Sequence, residues 1–286
     1  MENYKAKVLS DEKYLLGEGP AYDIRNGQLS FVDILDNKFY TLSEFGELSC
    51  IDLGQPIGAA IPLTQEGAYV LCGMDGLYVC KGNEISKFRD LTDVYESYQR
   101  SNDAKADPKG RLWFGSSSAD DDHGFTGNLF RYDNGTIKVM QKDTRISNGL
   151  AWSSDGKRFF FSDSEYHAVF AYDYDEASGD ISNRQVLFEV KDGVSDGMCI
   201  DSEDNLWVAI WGGRRIEKRS TATGELLGIV EVDAQNVTSC CFCGPRLDTL
   251  FITTSGNGQT GEHDGCLFTC RVDTWGCPSD FVALKI

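Results

Sequence analysis

Six short strand cores recur along this chain at near-constant spacing: Leu29-Ser30-Phe31, Ala68-Tyr69-Val70, Leu112-Trp113-Phe114, Phe159-Phe160-Phe161, Leu206-Trp207-Val208 and Leu250-Phe251-Ile252. Counted from Leu29, Tyr69, Leu112, Phe159, Leu206 and Leu250, the steps are 40 to 47 residues. A repeat of that length, built from strands, predicts an all-β fold, the six-bladed β-propeller, in which equivalent positions of every blade surround one axis. Ten or eleven residues upstream of those core residues stand Glu18, Gly58, Asn102, Asn148, Asp196 and Ser239. Residues far apart in the chain are thereby expected to converge on one channel. Four of them, Glu18, Asn102, Asn148 and Asp196, can coordinate a cation or bind a polar substrate.

The third unit illustrates the build. Asn102 to Ala106 leads into Asp107-Pro108-Lys109-Gly110, a turn by its residue chemistry, since proline presets φ and glycine accepts the left-handed geometry. Leu112-Trp113-Phe114 follows, and then an outer strand at Asn128 to Asp133. The fourth unit repeats the pattern with its turn at Ser154 to Lys157, and the fifth with a turn at Asp201 to Asp204. Short apolar runs rich in aromatic and β-branched residues read as strands. Asp90 to Gln99 is the best helix candidate. Six four-stranded blades occupy roughly 250 to 270 residues at this repeat length, so residues 1–286 are expected to form one domain. The two ends, Tyr4 to Leu9 and Phe281 to Ile286, are the candidates for closing the ring.

The net charge of −18 disfavours nucleic acid and anionic membrane as partners, because both call for a basic face. Residues 1–10 carry Glu2, Lys5 and Lys7 and no apolar run, which points to neither a secretory signal nor a membrane span and makes a cytoplasmic location the expectation. In a chain read that way, the ten cysteines are expected to be reduced and buried. Cys266, Cys270 and Cys277 lack the paired spacing of a zinc knuckle. His123, His167 and His263 are out of phase with the convergent positions, which argues against a histidine zinc site.

In a propeller the innermost strand of each blade lines the channel, so Glu18, Asn148 and Asp196 form a ring of oxygen donors. Two carboxylates and one amide oxygen match a divalent cation, Ca²⁺ first, with Mg²⁺, Mn²⁺ or Zn²⁺ also accepted. Taken singly, Asn148-Gly149 and Asp196-Gly197 also read as ordinary turn dipeptides. Their shared phase favours the channel, because Asp107, Asp155 and Asp204 already mark the hairpins a few residues later. Arg100 and Asn102 occupy the equivalent place in the third unit and offer donors to the oxygens of a small molecule, although Arg100 also fits a surface position.

Gly17-Glu18-Gly19-Pro20, the run Asn102 to Arg111, Ser147 to Ser153, and Asp196 to Asp201 together resemble the SMP-30/gluconolactonase, or regucalcin-like, family. The resemblance starts near Leu16 and runs to the end, with Thr238 to Phe242 included. It implies a six-bladed propeller with one divalent cation in a central metal-binding channel. By motif it implies that Glu18, Asn148 and Asp196 are metal ligands, that Asp196 is also the catalytic base, and that Arg100 and Asn102 hold substrate. Animal members of the family place a glutamate in the loop where this chain has Asp120, one methylene shorter, and the resemblance implies a substrate contact there.

The function expected from these residues is metal-dependent hydrolysis of a sugar lactone. A luciferin-regenerating or organophosphate-hydrolysing relative and a non-enzymatic calcium-binding propeller are the alternatives. Two other chemistries fall away. The glycine pattern at Gly256 to Gly261 leads to an apparent strand, Gly265 to Thr269, where a dinucleotide-binding fold needs a helix. No Gly-x-Ser-x-Gly nucleophile elbow is present. Two segments, Glu12 to Leu16 and Asp120 to Thr126, are candidates for loops that tune specificity.

Overall fold

The computed structural model describes residues 1–120 and 122–284. Six sheets, each with a four-stranded antiparallel body, follow one another along the chain, and each is one blade of a β-propeller. The inner strands are Gly17–Asp23, Ile57–Pro62, Gln99–Ala106, Ser147–Trp152, Val194–Ile200 and Asn236–Cys243, for blades 1 to 6 in that order. Within each blade the next strands pair outward in sequence order, as hairpin-connected neighbours do.

The strand cores are apolar, Ser30 excepted, because each second strand is buried on both faces by neighbouring blades. Leu112 and Phe114 pack with Ala59, Ile61 and Val70 of blade 2, whereas Trp113 between them packs with Leu150 and Phe159 of blade 4. Phe160 points the other way again, to Leu206 and Val208 of blade 5. The alternation is the period of two that a pleated strand imposes. Each fully buried aromatic of this kind contributes roughly 1.5–3 kcal/mol of transfer free energy.

The expected hairpins form, and their aspartates do more than turn the chain. Asp107 and Asp201 are fully buried, and the indole N–H of Trp113 donates to Asp107 Oδ2 at 2.9 Å as that of Trp207 does to Asp201 Oδ2 at 3.0 Å. The Arg111 guanidinium, 2.6 Å from Asp107 Oδ2, balances the buried charge. The second strand is thus tied to the turn that precedes it.

Ring closure uses the amino terminus. Lys7–Ser10 pairs antiparallel with Leu267–Arg271 and completes blade 6 as its outermost strand, covering the edge that Leu267–Arg271 would otherwise expose. Glu2–Lys5 runs parallel to Leu226–Glu231 and adds a fifth strand to blade 5. Among the described residues, the carboxy-terminal segment from Phe281 supplies no blade strand. With the last edge of blade 6 already taken, Val282 makes a lone bridge to Leu63, and Ala283 N–H donates to Gly110 O at 2.8 Å. This tail lies where the inner strands of blades 2 and 3 end. Lys285 and Ile286 lie outside the described residues.

The best helix candidate, Asp90 to Gln99, does not form a helix. Asp90 ends the strand Glu84–Asp90, its Oδ1 accepts the Thr92 N–H at 2.9 Å, and Gln99 already opens the next inner strand. Leu91 and Tyr95 are buried in the interface with blade 3, and that packing sets a compact turn in place of a helix. The helical element among the described residues is the 3₁₀ turn Ser164–Tyr166. No helix among them is long and apolar enough to cross a membrane. All ten cysteines are free thiols, eight of them buried, and Cys50 is exposed.

Candidate functional site

Every inner strand carries a register shift against its neighbour at the same place: between Glu18 and Ala21, Ile57 and Ala59, Ser101 and Ala104, Asn148 and Leu150, Ser195 and Met198, and Val237 and Ser239. The polar steps that resemble turn dipeptides are these β-bulges, set inside strands. A bulge bends the strand and re-aims its side chains, and here it lies at the convergent position of each blade. Close approach between blades fixes two residue types. A Cβ on Gly58 would sit 2.4 Å from Ser101 O, and one on Gly149 would sit 2.5 Å from Asp196 O. Glycine there lets the inner strands draw together.

Glu18, Asn148 and Asp196 come together with Arg100 and Asn102 in a cavity of about 410 Å³. Glu18 and Asp196 are each 5% exposed, and their carboxyl groups lie within hydrogen-bond reach of one another across blades 1 and 5. Burial, and then the nearby charge of Asp103, pushes Glu18 up to about 8. Burial, and then the charge of Glu18, raises Asp196 well above the usual carboxylate range. Two carboxylates this close and this dry resist ionising together unless a cation joins them.

A chain of hydrogen bonds orients the third donor. Arg100 Nη1 donates to Asn102 Oδ1 at 2.7 Å, Asn102 Nδ2 donates to Asn148 Oδ1 at 2.7 Å, and Asn148 Nδ2 donates to Ser164 Oγ at 2.8 Å. Ser164 Oγ donates in turn to Ser195 O at 2.7 Å. Because Asn102 Nδ2 also donates to Ser147 O at 2.9 Å, both of its N–H groups are committed to the protein. Asn102 lines the cavity, and its amide acts on Asn148. Arg100 uses Nη1 alone, and its Nε and Nη2 have no partner among the described residues.

This donor set fits a divalent cation. Glu18, Asp196 and Asn148 present hard oxygens, and Asp196 Oδ1 is buried with no hydrogen-bond partner among the described residues. Buried unpartnered carboxylate oxygens are costly unless something positive meets them.

Asp120 is not brought into this set. It sits in the exposed loop after the second strand of blade 3, where its Oδ1 accepts from the backbone N–H groups of Asp122 and His123 at 3.1 and 3.2 Å and lies 2.8 Å from His123 Nδ1. The same loop does reach the cavity, through Phe125. Asp121 lies outside the described residues. Asp103, which shares the bulge with Asn102, lines a smaller, separate cavity with Lys105 and Cys199. None of the three histidines lines the main cavity.

The cavity wall also contains Leu16, Ile34, Ile146, Val194 and Trp211, which the sequence reading passed over apart from Leu16 as part of a loop. A signal for them exists. Leu16, Arg100, Ile146 and Val194 each stand two residues before a convergent residue, the spacing that puts side chains on one face of a strand. Ile34, Ser164 and Trp211 each stand five residues after a strand-core residue, Leu29, Phe159 and Leu206.

Residues 16–256 match the family described as the SMP-30/gluconolactonase/LRE-like region, so the match starts where the resemblance starts and stops before the last strand of blade 6. Pentonolactonase XacC of Haloferax volcanii is 33% identical over 282 residues, covering 94% of each chain. Human regucalcin is 31% identical over 273 residues, covering 92% of this chain and 90% of its own. A solved structure of a luciferin-regenerating enzyme superposes with a TM-score of 0.91 at 30% identity, covering 98% of this chain and 100% of that one. A calcium-binding regucalcin from Agrobacterium tumefaciens shares the fold, at a TM-score of 0.92 and 22% identity with 99% of both chains covered. Six blades, a bulge at each channel position and a family match over most of the chain agree: the protein belongs to the SMP-30/gluconolactonase/LRE-like family.

Proposed function

We propose that this protein is a divalent-metal-dependent lactonase that opens a sugar lactone or similar cyclic ester by hydrolysis. Glu18, Asn148 and Asp196 would hold the cation, Ca²⁺ first by donor type, with Zn²⁺, Mg²⁺ or Mn²⁺ as alternatives. When bound, such a cation supplies a Lewis acid for the ester carbonyl. The observation that carries the reading is the pair of buried carboxyl groups, Glu18 and Asp196, facing each other on the floor of an open cavity beside Arg100.

Asp196 is the general base. Burial and the neighbouring Glu18 raise its proton affinity, so the charge of a bound cation would be what keeps it ionised and able to accept a proton. It takes one proton from water as the water oxygen bonds to the carbonyl carbon. The ring C–O bond then breaks, the proton passes to the departing ring oxygen, and the product leaves as a hydroxy acid that ionises to its carboxylate. Arg100 orients the substrate through Nε and Nη2, and Asn102 fixes the amide orientation of Asn148 by donating to its Oδ1. The names of the relatives, a pentonolactonase among them, support the reaction class.

A panel of aldonolactones and phosphotriesters, assayed with each of several divalent ions and with chelator, tests the proposal. Lactone turnover should vanish with chelator and return with metal. Asp196→Ala should lower kcat by on the order of 10² to 10⁴. Near-normal turnover of that variant with metal bound would remove Asp196 as the base.

A further inference from the structure

Resting on the lactonase reading, we infer that the preferred substrate is an uncharged lactone carrying an alkyl or aryl substituent, held by an apolar wall above the polar floor. Apart from Arg100 Nε and Nη2, the side-chain N–H and O–H donors of the cavity are largely committed to protein acceptors. Both N–H groups of Asn102 are engaged, the Ser164 hydroxyl donates to Ser195 O, and the free donors of Arg100 lie on one side. A polyhydroxylated ring needs partners for hydroxyls on several faces. Buried hydroxyls left unpaired are penalised.

Above the floor the lining changes character. Leu16, Phe125, Ile146, Val194 and Trp211 line the cavity and are half-buried or exposed, whereas Glu18, Asn102, Asn148 and Asp196 are buried; Ile34, also on the wall, is buried. Phe125 is 50% exposed although it belongs to an acidic loop that has no other large apolar residue. That loop is anchored to the blade: Gln99 Nε2 donates to Thr126 O at 3.1 Å and Thr126 N–H donates to Ser118 Oγ at 3.3 Å. The ring of Phe125 is therefore presented at the cavity. Leu15 and Leu35, next in the chain to Leu16 and Ile34, are 48% and 44% exposed. Half-buried and exposed apolar side chains lining a concave site with a few buried polar groups are the arrangement of a ligand pocket. Glu165 on the wall, with Glu18 and Asp196 below, disfavours an anionic substituent.

The test uses the full-length protein with divalent cation present. kcat/KM is measured for γ-lactones with unbranched alkyl chains of increasing length beside pentono- and hexonolactones, and binding is measured for the matching alkyl lactams, which are not hydrolysed. kcat/KM should rise by about fourfold per methylene over the first carbons, equivalent to ~0.8 kcal/mol each. Phe125→Ser and Trp211→Ser should flatten that slope, and they should flatten the chain-length dependence of lactam binding too. Aldonolactone turnover with no dependence on alkyl length would overturn the inference and leave the lactonase reading standing. Lactam binding that grows with chain length and is lost in Phe125→Ser, with no lactone hydrolysed, would support the apolar wall and refute the lactonase reading. Neither turnover nor binding would overturn both.

Discussion

Single atoms decide what the floor of the cavity can do. Asn148 has two ways to point its amide, and Asn102 selects one by donating to Oδ1 at 2.7 Å while Ser164 receives Nδ2. Groups that orient a ligand without touching the ion are typically worth 10–100-fold in metal affinity. Asn102→Ala should therefore weaken Ca²⁺ binding by about that factor in calorimetry, with the thermal midpoint of the chelated protein little changed. The acidic pair makes a second prediction, with a definite sign. A carboxyl whose pKa is raised on folding favours the fold most below its ordinary value of 4.5, and that advantage is lost as pH rises through about 8. With chelator present, the thermal midpoint should fall between pH 5 and pH 9, and Glu18→Gln should remove much of the fall. Added divalent cation should reverse the trend, because it binds the ionised pair. A chelated protein whose midpoint is flat over that range would contradict the burial argument.

At the scale of the strand, the bulge is the device that turns a repeat into a site. Asn148 and Asp196 reach the same space because Gly149 lets the inner strand of blade 4 approach blade 5. Gly149→Ala puts a methyl group 2.5 Å from the Asp196 carbonyl oxygen and 2.7 Å from Met198 Cε. The backbone oxygen cannot yield cheaply, so the variant should lose about 1–3 kcal/mol of stability and drop its thermal midpoint by roughly 2–4 °C per kcal/mol. Its metal affinity should fall as well, since the displaced carbonyl belongs to a ligand residue. Asp90 to Gln99 shows the limit of local reading. Leu91 and Tyr95 carry a spacing of four that suits a helix, yet both are buried against neighbouring strands and the segment folds as a turn. Tertiary burial overrode a weak local preference.

For the molecule as a whole, closure is the decisive element. Blade 6 takes three strands from the carboxy-terminal part of the chain and its fourth, Lys7–Ser10, from the amino terminus. Removing residues 1–10 should expose the edge of Leu267–Arg271, broaden the unfolding transition and promote association, read by denaturant titration and gel filtration. Removing residues 1–5 alone takes only the added strand of blade 5 and should leave the transition cooperative. Equal damage from both deletions would mean that Lys7–Ser10 is not the closing strand. The single-domain reading of residues 1–286 is a proposal that the same titration addresses.

From the sequence alone come the blade count, the hairpin positions and the convergence of Glu18, Asn148 and Asp196 with Arg100 and Asn102, because a repeat in the chain becomes a rotation in space and equal phase becomes equal radius. The cavity wall, Phe125 excepted, had a phase of its own, two residues before the convergent position or five after the strand core, and could have been read in the same way. The tertiary structure alone decided the rest. Whether Asn102 faces substrate or Asn148, whether Asp120 turns inward or caps its own loop, and which terminus takes the last edge all depend on which hydrogen-bond partner lies nearest once the blades have packed, and spacing along a chain carries no record of that distance.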